Sequence, residues 1–474
     1  MNLPDTVRSY LDRQRLTYRL IPCPAGESLI QIAAALDLPP RWTARTVLLR
    51  DAAGLVMAVL PCNHILDFSM LCQLLRRDLE PLYGAEAACF FQNHGCKAGS
   101  HPPLPEAFGL SALVDENLVA DGDHEVFFDG GNSDTLVGMH NADFRRLLAR
   151  ARWERFAVPT DHLDSLMSQQ AFTPQHLISI TNRYTPAQLR QGIEAITELP
   201  VMPPTAQQIL MLRDNPRIDV QDIIRIVELD PSLAAQVVYW ARSPLHGHHG
   251  AVDSLETAIG QILGAENTLN LLLGSSMGQS FRLPVDGPVG LDAFWRHSIY
   301  CASLIGELVK VLPEPARVKP GLAYLCGLLH NFGYLVLGHV FPARFFLFNR
   351  FLAVNRNVSL SAVERYVLGV EHWHIGAWLM QAWNMPEEVI SAVRWHHSED
   401  CTQPHAEYSN LVLIANRLLH HFGLAEEHNN RLPALAMFTL GITRDQAMEA
   451  LARVQSSMAQ LDTLSEALRL PSGG

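Results

Sequence analysis

Five histidines and two asparagines raise the first chemical question in this sequence. Residues 295–297 read Trp-Arg-His, 329–333 Leu-His-Asn-Phe-Gly, 371–376 Glu-His-Trp-His-Ile-Gly and 394–398 Arg-Trp-His-His-Ser. His297, His330, His372, His396 and His397 each fall on a stretch of helical periodicity. In the order His, His-x, His, His-His they suit a helical bundle that holds one or two metal ions and activates water against a phosphate ester. That chemistry also wants carboxylates, because anionic oxygen best holds a hard divalent ion and bridging aspartates lower the repulsion between two close cations. Here Asn331 follows His330, and Asn416 stands in Ala-Asn-Arg-Leu-Leu at 415–419. An amide oxygen can ligate, but it brings no negative charge. The expectation is therefore a degenerate site of His297, His330, Asn331, His372, His396, His397 and Asn416 that stays empty, with no divalent metal and no cofactor. The imidazoles would then be buried and hydrogen-bonded, with the two amides as partners.

Other residues of the same types read as structural. His339 and His374 fit edge positions, and His246, His248 and His249 lie in the loop sequence Leu-His-Gly-His-His-Gly. Trp373, Trp378, Met380, Trp383 and Trp395 recur at helical spacing and fit a core better than a ligand cage. The eight cysteines show no Cys-x-x-Cys pair and no regular spacing, so neither a zinc ribbon nor a disulfide framework is expected.

The elements that must position these residues divide the chain. At 474 residues, two or three domains are the sensible prior. Hydrophobic residues make up 48% and charged residues 18%, which excludes global disorder. A formal net charge of -12 argues against wholesale capture of nucleic acid or anionic membrane, since both require a basic face. The beginning carries no basic segment followed by an apolar one, and the longest apolar run, 322–341, is interrupted by His330, Asn331 and His339. A cytoplasmic protein with a buried core helix is expected, and no membrane span.

Residues 1–155 alternate strand-like runs (TVLLRD, GLVMAVLP, SALVDE, EVFFDGG) with helical stretches at 28–36 and 68–78, which predicts a mixed α/β domain. Residues 156–193 read as a polar helical linker. From Leu199 onward the pattern is helical, with Pro and Gly at the joints: helices are predicted at 207–213, 220–229, 232–241, 254–264, 292–312, 322–337, 361–383 and 386–397. A further helical segment, 401–474, closes the chain.

Seven stretches of the helical part, taken together, carry a resemblance: ELPVMPPTAQQIL (198–210), VELDPSLAAQVV with Asp230-Pro231, SLETAIGQILG (254–264), FWRHS (294–298), CGLLHNFG (326–333), GVEHWHIGAWLMQAWNMP (369–386) and RWHH (394–397). Residues 194–400 resemble the HDOD family, the non-catalytic relatives of the HD and HD-GYP phosphodiesterases. One departure is Arg242-Ser243, where the family commonly has Asn-Ser. The resemblance implies an all-α bundle that works by binding a partner.

The first 155 residues are similar to the YbaK family of aminoacyl-tRNA deacylases, which includes the prolyl-tRNA editing domains. The carriers are ARTVLLRDAAGLVMAVLPCNHILDFSML (44–71), Gly-Ser-His-Pro-Pro (99–103), SALVDENL (111–118) and FFDGGNSDTLVGM (127–139). In that family a lysine in the first strand motif supports binding of the tRNA acceptor end, and a G-x-x-x-P loop shapes the pocket. The resemblance puts a deacylase-like pocket at Arg45, Gly99, Pro103, Gly130 and Gly131, with Arg45 in the place of the lysine. A planar guanidinium does not replace a compact ammonium in a tight pocket. A structural reading makes Arg45 an exposed strand-edge charge and Gly130-Gly131 a turn. Arg41, Arg45 and Arg50 form a small basic group, a weak nucleic-acid signal in an acidic chain.

The chain thus reads as multidomain: a YbaK-like α/β domain (1–155), a linker (156–193), an HDOD bundle (194–400) and a helical C-terminal extension (401–474). The expected function is a bacterial signalling protein, oligomeric or monomeric, whose α/β domain senses an aminoacyl or nucleotide-like ligand, with a tRNA acceptor end as one candidate partner, and whose HDOD module relays that state to a protein partner. Two enzymatic alternatives stay open: deacylation of aminoacyl-tRNA by the first domain, and residual metal-dependent phosphodiester hydrolysis by the second.

Overall fold

The computed structural model describes residues 3–24, 28–120, 122–160, 201–213, 218–229, 231–242, 252, 254–284, 287–313, 318–424 and 431–469. Most of the expected linker and the loop with His246, His248 and His249 lie outside them. The chain folds as two compact units: Met1–Gln170 with Leu347–Val367, and Ala171–Phe346 with Leu368–Gly474.

The first unit is α/β, as expected. Its strands are β1 (Arg19–Pro22), β2 (Thr43–Asp51), β3 (Gly54–Pro61), β4 (His64–Leu66), β5 (Glu80–Leu82), β6 (Ser111–Asp115), β7 (Glu125–Asn132), β8 (Thr135–His140), β9 (Arg152–Glu154) and β10 (Ala157–Pro159). Its first helices are α1 (Asp5–Gln14), α2 (Leu29–Ala35), α3 (Phe68–Leu75), α4 (Gly84–Asn93) and α5 (Asn141–Leu147). The main sheet is mixed, in the order β1-β8-β7-β2-β3-β6-β9, with β5 also paired to β2 and with β4 and β10 forming a separate pair. Parallel pairs β2·β7 and β3·β6 sit at its centre. The near-continuous apolar runs of β2 and β3 follow from that placement, because central strands bury both faces. Ala44 and Leu48 of β2 join Met57, Val59, Val114, Val126 and Phe128 in one core cluster beneath α1, α4 and α5. The alternate residues Arg45, Val47 and Leu49 are buried on the opposite face.

The second unit is helical: α6 (Pro204–Arg213), α7 (Val220–Glu228), α8 (Pro231–Ala241), α9 (Ala265–Gly278), α10 (Leu291–Val309), α11 (Pro320–Leu329), α12 (Phe332–Val340), α13 (Pro342–Val354), α14 (Leu360–Val367), α15 (His372–Ala382), α16 (Glu387–Trp395), α17 (Ala406–Leu418), α18 (Ala434–Leu440), α19 (Arg444–Gln455) and α20 (Met458–Arg469). From Leu347 onward α13, and all of α14, pack with the first unit instead. The sequence reading keeps 194–400 as one uninterrupted domain; the packing takes 347–367 out of it. The expected helix at 254–264 is a π-helix at Thr257–Leu263.

Two long expected helices are broken. The run 322–337 splits at His330-Asn331 into α11 and α12, and 361–383 splits after Val367, where Gly369 takes φ +76. A left-handed residue ends a helix, and glycine enters that region without a Cβ clash. Pro320–Val340 is apolar enough to cross a bilayer, yet 94% of its most apolar window is buried inside the protein. It is a core element, as its embedded His and Asn require.

Candidate functional site

The sequence puts each site histidine on a helix; the structure puts most of them at helix ends. His297 lies inside α10, His330 caps the C-terminus of α11, His372 opens α15, and His396 and His397 follow α16. Helix ends carry unsatisfied backbone groups, and these histidines use them. His330 Nδ1 donates to Gly327 O at 2.8 Å and His396 Nδ1 donates to Val393 O at 2.8 Å, the same three-residue reach back into the last helical turn. His297 Nδ1 donates to Leu424 O at 2.8 Å. A carbonyl only accepts, so each of these rings donates an Nδ1–H there.

Their Nε2 atoms converge. His297 Nε2 lies 3.1 Å from His330 Nε2, and His372 Nε2 lies 3.2 Å from His396 Nε2. The rings of His330 and His396 are 5.0 Å apart between centroids, which joins the two pairs, and one ligand atom from each of His372, His396 and His397 falls within 4.8 Å of the others. Tyr334 stacks on His372 at 4.2 Å. His330, His372 and His396 are fully buried. The packing that brings them together depends on two glycines: a Cβ on Gly333 would stand 1.9 Å from His372 O, and one on Gly376 2.8 Å from Val393 Cγ1. Only without side chains can α12 and α15 approach so closely.

Asn331 is buried beside His330, and Asn416 is buried in α17, which packs on α10 and α16. Neither amide atom of Asn416 has a hydrogen-bond partner among the described residues. The expected role of Asn416 as a hydrogen-bond partner of the histidines is therefore not met. Edge positions hold for His339 and His374, the latter 3.1 Å from Glu371. Met380 and Trp383 are core, while Trp373, Trp378 and Trp395 are only half-buried.

In the first unit Arg45 is neither a ligand-facing cation nor an exposed edge charge. It is 3% exposed, and its guanidinium donates to Val354 O at 2.7 Å, His64 O at 3.1 Å and Asn355 Oδ1 at 2.7 Å. Burial with no carboxylate partner pulls its pKa down to about 10, which leaves it charged at neutral pH. Asn355 in turn pairs with both backbone groups of Leu66, accepting from the N–H at 2.7 Å and donating to the carbonyl at 3.1 Å. Tyr366 OH donates to Asp67 Oδ2 at 2.6 Å. Residues 347–367 thus occupy the space beside Arg45, the residue standing where the family's lysine would be. Asn355 and Tyr366 were not legible in the sequence: nothing in Asn-Arg-Asn at 355–357 signals a partner 310 residues away.

The glycines serve packing. A Cβ on Gly130 would meet Leu3 Cδ2 at 2.8 Å, and one on Gly131, which sits at φ +92, would meet Pro4 Cγ at 2.9 Å. Gly99 is exposed at φ +81 with open space around it, and Pro103 is buried. Between these loops lies Asp129, whose carboxylate accepts from the backbone N–H groups of Gly131 and His101. Burial pushes it up to about 6 against those hydrogen bonds. Asp129 sits in the FFDGG motif but was not singled out from sequence.

The comparisons find two family domains in the chain. A model of the HDOD domain matches residues 199–399, and a model of the aminoacyl-tRNA editing domain matches residues 23–147. A protein of Marinobacter aquaeolei VT8 assigned to signal transduction is 31% identical, with a TM-score of 0.85 over 99% of this chain and 100% of that one. An HDOD domain protein of Geobacter sulfurreducens, 18% identical with a TM-score of 0.50 over 62% of this chain and 99% of its own, shares the fold. An uncharacterized protein of Treponema pallidum (strain Nichols) is 27% identical over 221 residues, and the match spans 41% of that relative's length. By sequence, by fold and by the order of its two domains, this chain belongs to the HDOD family, as a member that carries an aminoacyl-tRNA editing domain ahead of the HDOD domain.

Proposed function

We propose that this chain is a bacterial, cytoplasmic signalling protein that works by binding: the editing-like unit senses an aminoacyl ligand or tRNA acceptor end, and the HDOD unit passes the resulting state to a protein partner. The observation that carries this reading is the placement of residues 347–367. They lie within the HDOD range of the sequence but are held in the editing-like unit by Arg45, Leu66 and Asp67. A ligand that competes for Arg45 or for the β4 backbone changes the hold on this segment, and the segment is covalently continuous with the HDOD helices on both sides. Differential affinity for the held and released arrangements is all that transmission requires. Turnover is not part of the reading: Arg45 is engaged by the chain itself, and the histidine cluster has amides where hydrolytic metal centres have carboxylates.

A non-hydrolysable mimic of the acceptor end, 3′-aminoacylamino-adenosine, tests the proposal by hydrogen exchange on the full chain. Binding should change amide protection across 347–367, and Asn355→Ala should raise exchange there without ligand. Leaving Arg45 and Leu66 with buried unmet groups should also cost about 2–4 kcal/mol of stability in the first unit. No binding, or binding that leaves 347–367 untouched, overturns the sensing role. Steady deacylation of a mischarged tRNA, diminished by Arg45→Ala, would favour the editing enzyme instead.

A further inference from the structure

We propose that a groove among the last helices of the second unit is the docking site for an acidic amphipathic helix of a protein partner. It lies beyond residues 199–399, the range of the HDOD match, and is built from the end of α17, the 3-10 turn Leu419–Phe422, α18 and the start of α19. A tight corner shapes it. α18 ends where Gly441 takes φ +67, and Thr443 then caps α19: its hydroxyl accepts from the Gln446 N–H at 3.2 Å, and the Gln446 side chain accepts from the Thr443 N–H at 2.9 Å. A capped corner of this kind fixes how the two helices diverge, so the groove is preformed and little ordering is left for binding to supply.

The groove has a volume of about 670 Å3 and an apolar floor of Met437, Phe438, Ile442 and Met448. Phe438 is 84% exposed, and Leu435, three residues before it on the same side of α18, is 52% exposed, so apolar surface continues past the groove. Arg417, Arg431 and Arg444 stand around the floor, and no carboxylate lines it among the described residues. In a chain of net charge -12 that is a local reversal of sign. Arg417 also meets Glu399 at 2.8 Å, whereas Arg444 is exposed and makes no ion pair among the described residues. His420 lines the groove too, but burial and then His421 hold it below the ordinary histidine range, so it adds no charge at neutral pH.

Shape and charge together select the occupant. A helix lowers side chains at i, i+3 or i+4 and i+7 into an apolar groove, while a flat bilayer leaves a concave floor unfilled. The thioethers of Met437 and Met448 adapt to the side chains that enter. Guanidinium groups pair with carboxylates, which places acidic residues on the flanks of that helix. Nucleic acid draws its affinity from many phosphate contacts, more than three arginines on an acidic chain supply. A second copy carries the same net charge of -12 and is repelled at long range. The inference rests on the signalling reading, for which it names the chemistry of the partner.

The test selects a phage-displayed library of helical peptides, about four turns long, on the full chain, with counter-selection on the full chain carrying Phe438→Ser. Enriched peptides should combine apolar residues at helical spacing with a net negative charge. A synthetic peptide of enriched sequence, followed by fluorescence anisotropy, should bind Phe438→Ser roughly 10-fold or more weakly, as expected for loss of a central aromatic anchor. Arg444→Ser should weaken it by about threefold and flatten its salt dependence. Leu229→Ser, at a similarly exposed apolar residue just after α7, should bind as the wild type does. All three residues are on the surface, and unchanged melting temperatures show that the variants are folded. No enrichment over the Phe438→Ser chain overturns the inference, as do enriched peptides that are basic or equal binding to all three variants. A wild-type dimer in sedimentation that Phe438→Ser dissociates would replace the partner helix by a second copy, and an oligonucleotide whose binding is lost with Arg444→Ser would replace it by nucleic acid. None of these readouts needs a ligand on the first unit, so failure of the docking site is distinguishable from failure of the sensing role.

Discussion

Single residues decide more here than their types suggest. Arg45 and Asp129 carry opposite charges in the same unit, and burial perturbs both. Asp129 is pushed from the ordinary carboxylate range to about 6, so the folded state holds its proton more tightly than the unfolded chain does. Its contribution to stability is therefore greatest below about pH 4 and declines as pH rises toward 6, by roughly 3 kcal/mol for a shift of about two units. A carbon-13 titration of the Asp129 carboxyl should show a midpoint near 6, and Asp129→Asn should flatten the first unit's stability between pH 4 and 6. Asp51, held down to about 2 by its hydrogen bonds with Arg77, acts below that window and in the opposite sense. A midpoint near 4 would show that Asp129 is solvated and its loop open. The FFDGG motif made this region legible in the sequence, but the carboxylate's environment was not, because desolvation depends on the Gly99–His101 loop folding over it.

At the scale of elements, the histidine cluster depends on a close crossing. α12 and α15 approach until a Cβ on Gly333 would overlap the carbonyl of His372, and a backbone atom cannot swing aside as a side-chain tip does. Gly333→Ala should therefore destabilise the second unit by about 3 kcal/mol or more, read as a lower melting temperature. Gly306→Ala in α10, where the nearest atom is 4.0 Å away, should be neutral or raise stability by up to about 1 kcal/mol. If both substitutions prove equally mild, the crossing is looser than the Gly333 contact with His372 requires, and the ring distances cannot be fixed by it. Periodicity located these helices well but ran through the His330-Asn331 and Leu368–Glu371 breaks. An apolar pattern continues across a turn whose residues are mostly buried, so hydrophobicity alone does not register the interruption.

For the whole molecule, the consequential feature is the exchange of residues 347–367 into the first unit. A fragment of residues 199–474 would keep the HDOD sequence but lose Arg45, Leu66 and Asp67, the groups that hold Asn355 and Tyr366. Hydrogen exchange in that fragment should show 347–367 unprotected while α10, α15 and α16 stay protected, and Phe348 and Phe351, buried in the full chain, should promote dye binding or aggregation. Equal protection of 347–367 in fragment and full chain would show that the segment folds on its own neighbours, and would remove the physical basis for relay.

The sequence by itself determined the two fold classes, their order, the family of each half and which five histidines would gather, because apolar periodicity and short motifs are local and survive without knowledge of neighbours. Only the tertiary structure decided that Arg45 is bound by Asn355, that Gly130 and Gly131 make room for Leu3 and Pro4, and that His297 faces His330 through the Nε2 atoms. Each of these outcomes rests on a distance between residues far apart in the chain, and on which ring nitrogen or guanidinium face a distant carbonyl happens to meet.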